Sequence, residues 1–197
     1  MNTPVQISSE EEVARPAPPG FPDRAEMELL LRIGLFSPDD EIALRKVWRI
    51  LKGQTDDYLD MMLGMVAAHP ALVPTLTALR GEESATHSLD GAETIRDRFR
   101  RWLFETCFFP YEPPWLKQLY LELSPPDSAA QPSPVLLLPG FRHAVALAYP
   151  LVATAHPFLA AKGRDHQDIE RMQHALLKAI LLQVALLSKL YVKEGLW

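Results

Sequence analysis

The feature that most constrains the fold of this chain is its C-terminal part, which is apolar over two long stretches. Residues 140–161 are apolar almost all round, and the run 175–191 is broken only by Lys178, Gln183, Ser188 and Lys189. A helix with apolar residues on more than one face, as expected for 175–191, asks for a partner surface. We therefore expect two long helices here, the first of them kinked or broken at Pro150 and Pro157. The polar interruptions argue against a membrane span.

Helix signals also occur through the rest of the chain. The segment Ser37-Pro38-Asp39-Asp40 places a capping serine before a proline and two acids, which is typical of a helix start. Apolar spacing continues this helix to about Leu51, and Gly53 predicts a break. Further helices are expected at residues 23–35, 56–68, 92–108, 115–123 and 165–191. No convincing pair of strands is found, so the predicted fold class is all-α.

Composition and charge narrow the class of protein. Of 197 residues, 48% are apolar and 23% charged, as in soluble globular proteins, and the net charge of -5 argues against a nucleic-acid partner. A single cysteine, Cys107, excludes an internal disulfide framework. Residues 1–22 are acidic and rich in proline, and we expect a flexible tail before one domain at 23–197. The tail lacks a signal-peptide pattern, so we expect a cytoplasmic protein.

Motifs of enzyme active sites are missing from the sequence. There is no nucleophile elbow, no phosphate-binding glycine loop and no HExxH pair. The acidic residues lie where helix caps and solvent-facing positions require them, so no general acid–base pair is indicated. We predict no catalytic residues, no dedicated metal ligands and no enzymatic activity.

Four stretches of the chain nevertheless carry a family likeness. They are residues 29–40, residues 95–102 (IRDRFRRW), residues 149–163 (YPLVATAHPFLAAKG), and residues 182–186 with 191–193 soon after. The third is long and idiosyncratic. In these stretches the chain resembles the protoglobins, which are single-domain relatives of the globin part of globin-coupled sensors. The likeness runs in order from about residue 25 to residue 197.

The resemblance implies a fold, a pocket and an interface. The implied fold is a three-over-three helical sandwich with an additional N-terminal helix. The implied pocket lies between the distal E and proximal F helices, and in relatives it holds haem b and binds O2, CO or NO. Relatives commonly form homodimers through their last two helices, which correspond to residues 140–161 and 165–191. A protein partner on the same surface is the alternative.

The residues that would hold haem depart from the family pattern. The family's proximal histidine lies about ten places after a tryptophan that matches Trp115, but no His, Cys or Met occurs between Trp115 and Gly140. The family's distal Trp-Tyr pair aligns with Met62 and Leu63. The resemblance retains two pocket residues, Phe99 and, near the haem propionates, Arg98. It also places Leu147 and His143 at the pocket, where His143 is either a substitute ligand or a histidine at the edge of the core, bonded to backbone. Core packing for Phe99 and a solvated charge for Arg98 are the structural alternatives.

Three functions follow from this pattern. We favour a haem-free binding, interaction or regulatory subunit on a retained globin scaffold, with no cofactor. The alternative is a haem-binding gas carrier or sensor with altered axial ligation, in which His143, or Tyr120 on ferric iron, would replace the missing histidine. The third is an enzyme acting on a small apolar ligand in the vacated pocket.

Overall fold

The regular structure is helical throughout the part of the chain that the computed structural model describes, which is residues 20–68, 95–123, 141–161 and 163–191. These ranges contain seven helices: α1 (Arg24–Ile33), α2 (Pro38–Leu51), α3 (Thr55–Ala67), α4 (Ile95–Phe108), α5 (Pro114–Leu123), α6 (Phe141–Ala160) and α7 (His166–Tyr191). The all-α class is therefore confirmed for this part. Predictions for residues 1–19, 69–94, 124–140 and 192–197 lie outside the described residues.

The first two helices begin at the predicted capping residues. The Asp23 side chain accepts a hydrogen bond of 2.8 Å from the Glu26 N–H. At α2, the backbone N–H of Ser37 donates to the Asp40 carboxylate at 2.8 Å, and Pro38 occupies the first helical position. The chain leaves α2 after Leu51, before Gly53, as the sequence predicts.

α6 runs without a break through Pro150 and Pro157. Of the two outcomes predicted at these prolines, the break is therefore wrong, and the kink stays a prediction. Each proline removes the N–H that would bond the carbonyl four residues earlier, at Ala146 and Ala153. Both alanines are exposed, so water can satisfy those carbonyls. The helix ends at Ala160 and is followed by the predicted cap residue Gly163, whose φ of 63° is left-handed.

α7 is the central helix of the described structure. It packs most extensively on α6 and also contacts α2, α4 and α5. After its first residue, the exposed His166, its exposed residues lie on one narrow face, namely Gln167, Glu170, Arg171, His174, Leu181, Ala185 and Lys189. The chain's own helices therefore cover most of the apolar surface that the sequence left without a partner. By length and composition α7 also meets the criteria for a membrane span; half of the qualifying stretch is buried in the fold, and core helices of soluble proteins meet the same criteria.

The buried residues form two clusters. The main cluster joins α2, α3, α4, α6 and α7 and includes Leu44, Tyr58, Leu103, Leu159 and Leu176. The second lies where α1, α5 and the end of α7 meet, around Met27, Leu116, Tyr120 and Leu186, and it also contains Phe21. Phe21 and Pro22, which fall within the predicted tail, are both buried.

Candidate functional site

The predicted pocket position Phe99 lies where α3, α4 and α6 meet, among aromatic rings of the main cluster. Its ring centroid is 5.2 Å from that of Tyr58, in an edge-to-face arrangement, and 5.4 Å from that of Trp102. Tyr58 also contacts Phe158 of α6, at 5.9 Å. Aromatic pairs at such separations stabilise a core beyond the area they bury. The chain's own rings therefore pack around Phe99.

Tyr58 is held in one orientation by a hydrogen bond. Its side chain is fully buried, and its hydroxyl donates to the backbone carbonyl of Leu151 at 2.6 Å. Burial raises the pKa of Tyr58 well above its usual range, so the phenol stays protonated at neutral pH. This tyrosine precedes the expected distal position by five residues, and its hydroxyl is committed to α6.

The other predicted pocket residues are placed on three helices. Met62 of α3 packs against the main cluster, while Leu63 of the same helix and Leu147 of α6 are half-buried. Arg98 lies on α4 and His143 in the first turn of α6, and the predictions for these two side chains lie outside what the structure describes. Phe99 and Met62 are thus brought to the same core.

The α5 helix corresponds to the predicted proximal side. Its first turn is capped from α4, because the buried Glu105 carboxylate accepts a hydrogen bond of 2.7 Å from the Trp115 backbone N–H. Tyr120, considered as a ligand for ferric iron, is buried, and its hydroxyl donates to the Leu186 carbonyl of α7. Burial, followed by the charge of Glu26, raises the pKa of Tyr120 to about 12. Its phenol therefore holds α5 to α7.

Taken together, the described residues at the predicted haem positions fit haem poorly. Phe99, Leu63 and Leu147 carry no donor atom, and the Met62 thioether belongs to a residue packed on the core. Iron needs an imidazole, thiolate, thioether or phenolate directed at it, and the Tyr120 hydroxyl is directed at a backbone carbonyl instead.

The arginine-rich stretch of α4 is used in ion pairs with α3. Arg96 donates to Asp60 at 2.8 Å, and Arg100 lies 3.4 Å from Asp56. The hydrogen bond from Arg96 to Asp60 raises the pKa of the Arg96 guanidinium. These two arginines therefore join helices rather than form a site for an external anion.

Three features of the structure were not predicted from the sequence. The buried Gln183 side chain donates to the Thr106 hydroxyl at 3.0 Å, which joins α7 to α4. The polar interruption of an apolar run was the available signal for this bond. An apolar groove of about 170 Å³ lies between α1 and α7, lined by residues such as Leu30, Phe36 and Leu182. A more polar depression lies at the start of α3, near Lys52 and Arg100.

Exposed apolar side chains also occur on the last two helices. Tyr149 and Val145 of α6 are 71% and 46% exposed, and Leu181 of α7 is 45% exposed. The two helices are antiparallel neighbours joined at Gly163. Val145 and Leu181 are each 18 residues from that glycine, and Tyr149 and Leu177 are each 14 residues from it. The two residues of each pair therefore lie at about the same height along the two helix axes. We call these four residues the outer α6–α7 patch.

Comparison of the chain with known proteins does not assign it to a family. No family model matches the chain, and no curated protein matches it. The function therefore has to be argued from the residues themselves.

Proposed function

We propose that this protein is a haem-free, protoglobin-like interaction module, with a three-over-three globin arrangement, that self-associates through its last two helices. The observation that carries the proposal is the packing of Phe99 against Tyr58 and Trp102 at the expected distal position. A second support is the sequence after Trp115, which offers no histidine on the expected proximal side. In this proposal the chain's own side chains fill the expected haem pocket, so the protein acts by binding a partner at its surface.

The haem-free part of the proposal is tested by a visible spectrum. The full chain is purified from cells supplied with a haem precursor, beside a haem-binding globin expressed in the same way as a positive control. We expect no Soret band and no stoichiometric iron in this protein. A strong Soret band with one iron per chain would overturn the proposal in favour of a gas-binding haem protein. In that case a spectral shift in His143→Ala would identify the ligand.

The surface proposed for self-association is the outer α6–α7 patch. Its four side chains are aliphatic or aromatic, and three of them, Tyr149, Val145 and Leu181, are about half exposed or more. The fourth, Leu177, is partly buried against the main cluster. A two-fold axis through such a patch places it against its own copy, as in most homodimers. Each of these side chains would then lose its contact with water, which is the main driving force of association.

Light scattering coupled to size-exclusion chromatography tests this surface. We expect the native chain to elute as a dimer, and Tyr149→Asp combined with Leu181→Asp to elute as a monomer with unchanged circular dichroism. Ile42→Asp is the matched control, because Ile42 is 56% exposed on α2, away from the patch, and should leave the dimer intact. A native monomer, or a dimer that survives the double substitution, would contradict the proposed interface.

A further inference from the structure

The apolar groove between α1 and α7 has walls of aliphatic side chains. Leu30 and Ile33 of α1 lie on one side, and Leu181 and Leu182 of α7 lie on the other. Ile33 is exposed, so the wall that α1 contributes stands largely in water. We call this feature the α1–α7 groove. Exposed apolar surface of this kind is typical of a site that another element covers.

The α1–α7 groove adjoins the outer α6–α7 patch. Leu181 belongs to both, since it lines the groove and is one of the four patch residues. Helical periodicity places Lys178 and Leu182, which line the groove, on one side of Leu181. It places Leu177 and Val184, which pack in the main cluster with α6, on the other side. The exposed face of α7 is therefore bordered by α1 and by α6.

The outer α6–α7 patch alone is small for a stable dimer. A specific interface buries about 800 Å² on each partner, whereas even an aromatic side chain buries only about 150–250 Å². The four patch side chains, one of them aromatic and all of them partly covered, fall well short of that area. On α1, Ile33 is 69% exposed, and Leu29, one turn before it, is 52% exposed. The α1 side can therefore supply the apolar surface that the patch lacks.

The direction of the two-fold axis decides which helices of the two copies meet. An axis in the interface at a right angle to α7 brings α6 of one copy onto α6 of the other, and groove onto groove. An axis roughly along α7 brings α6 of one copy onto α1 of the other. Only the second arrangement sets a projecting helix face opposite the α1–α7 groove.

Tyr149 matches the α1–α7 groove in size and in height. A cavity of about 150 Å³ holds a benzene molecule, so a groove of about 170 Å³ can receive one aromatic ring. Tyr149 is the most exposed aromatic residue in the described part of the chain. Rotation about an axis along α7 preserves height along this helix. Tyr149, at the height of Leu177, then comes opposite the Lys178 end of the groove, and Val145 comes opposite Leu181.

The charges on α7 are compatible with this arrangement. Charged residues and a histidine occupy the N-terminal half of its exposed face, namely Glu170, Arg171 and His174. Packed helices commonly cross at about 50°, so two α7 helices that meet beside the groove diverge toward these residues. At the groove, Lys178 is already paired with Asp40 at 3.0 Å. Beyond it, Lys189 is paired with Glu26.

We propose that Tyr149 and Val145 of one copy of this chain occupy the α1–α7 groove of a second copy, and that the second copy does the same in return. The two-fold axis then runs roughly along α7, and α1 is part of the interface. This inference rests on the self-association proposed above, which leaves the direction of the axis open.

Cross-linking between chains that carry one added cysteine each tests the direction of the axis. Ile33→Cys chains are mixed with Val145→Cys chains and treated with a short bismaleimide, while the native Cys107 is buried and stays unmodified. We expect a link between positions 33 and 145, found by mass spectrometry, and little link between two copies of position 145. Ile42→Cys in place of Ile33→Cys is the matched control, because Ile42 is also more than half exposed but lies on α2.

The outcomes distinguish the groove contact from self-association as such. A 145–145 link without a 33–145 link, in a chain that light scattering shows to be a dimer, would place α6 on α6. That result would overturn the groove contact and leave self-association intact. A 33–145 yield no higher than the yield with Ile42→Cys would also overturn the groove contact. A monomeric native chain would overturn both.

A substitution that fills the groove gives a second test. Ala185 is exposed and lines the groove, so Ala185→Trp should fold normally and place its indole where Tyr149 of the other copy would lie. We expect the dissociation constant of the dimer to rise roughly ten-fold or more, with unchanged circular dichroism. Ala68→Trp, at an exposed alanine after α3, adds the same side chain away from the groove and should leave the constant unchanged. An unchanged or lower constant in Ala185→Trp would overturn the groove contact.

Discussion

At the scale of single residues, Leu35 is the clearest conflict between local conformation and side chain. It follows the end of α1 with a φ of 51°, in the left-handed region that disfavours residues with a Cβ atom, and its side chain is 77% exposed. No burial of this leucine offsets the strain. The turn is held instead by hydrogen bonds of its backbone: the Phe36 N–H donates to the Leu31 carbonyl at 2.9 Å, and the Lys178 ammonium donates to the Leu35 carbonyl at 2.7 Å.

Leu35→Gly should therefore stabilise the fold. Relief of the left-handed strain outweighs the added entropy of the unfolded chain, and we expect a gain of about 1 kcal/mol in the free energy of unfolding. Urea denaturation measures this gain. Leu35→Ala is the control, because it removes the same side chain but keeps the Cβ atom; equal stabilisation by both variants would show that backbone strain is not the cause.

At the scale of helices, the local sequence predicted where helices begin and end, but it predicted the contacts between helices less well. Ser37 and Pro38 begin α2 as their chemistry requires, and the left-handed Gly163 follows the end of α6. By contrast, Pro150 and Pro157 predicted a kink or a break, and the break does not occur. Ala146 and Ala153, whose carbonyls lose their helical partners, are exposed, and the helix packs on α7. The cap of α5 lies on another helix, Glu105 of α4, which no local pattern indicates.

Glu105→Gln should loosen α5 selectively. The carboxylate offers a negative charge to the positive N-terminus of α5, and the amide offers only a weaker acceptor. We expect a loss of about 1–2 kcal/mol in the free energy of unfolding. Hydrogen exchange should accelerate most at residues 115–120. Uniform acceleration through all seven helices would instead show that Glu105 acts on the core as a whole.

At the scale of the whole molecule, the apolar run 175–191 predicted a partner surface, whereas the chain's own helices cover most of it. The interior of the expected pocket was harder to predict. Phe99 was assigned to a pocket by resemblance, whereas its ring contacts depend on Tyr58, which is 41 residues away in the chain. Long-range packing of this kind leaves no periodic signal, so the contact of Tyr58 with Phe99 could not be named beforehand. For the Gln183–Thr106 bond, the sequence marks Gln183 as a polar interruption but not Thr106 as its partner.

The buried Cys107 provides a probe of opening of the whole core. Its side chain is 1% exposed, and burial raises the pKa of the thiol to about 12, so little reactive thiolate exists at pH 8. We expect an aromatic disulfide reagent to label Cys107 only through unfolding. Leu35→Gly should then slow labelling roughly five-fold, in line with 1 kcal/mol. Labelling of the native chain at the rate of an unstructured peptide would contradict this.

The same thiol makes stability depend on alkaline pH. Its pKa rises from 9.0 to about 12 on folding, so its contribution is complete below pH 9 and is lost as the pH rises toward 12. The free energy of unfolding should fall over this range, and Cys107→Ala should flatten the fall. The pKa of Tyr120 is also raised on folding, to about 12, so its ionisation lowers the free energy of unfolding in the same direction. An equal slope in the alanine variant would assign the effect to other groups.

The central position of α7 has a consequence for synthesis of the protein. Helices α2, α4, α5 and α6 all pack against this helix, which is the last of the seven in chain order. A nascent chain emerges from the ribosome N-terminus first. Leu44, Leu116 and Leu159 are therefore translated well before the helix on which their clusters depend, and they remain without their cover until about residue 187 is free. A chaperone that shields apolar segments should therefore stay bound to this nascent chain until α7 has emerged and then release it abruptly.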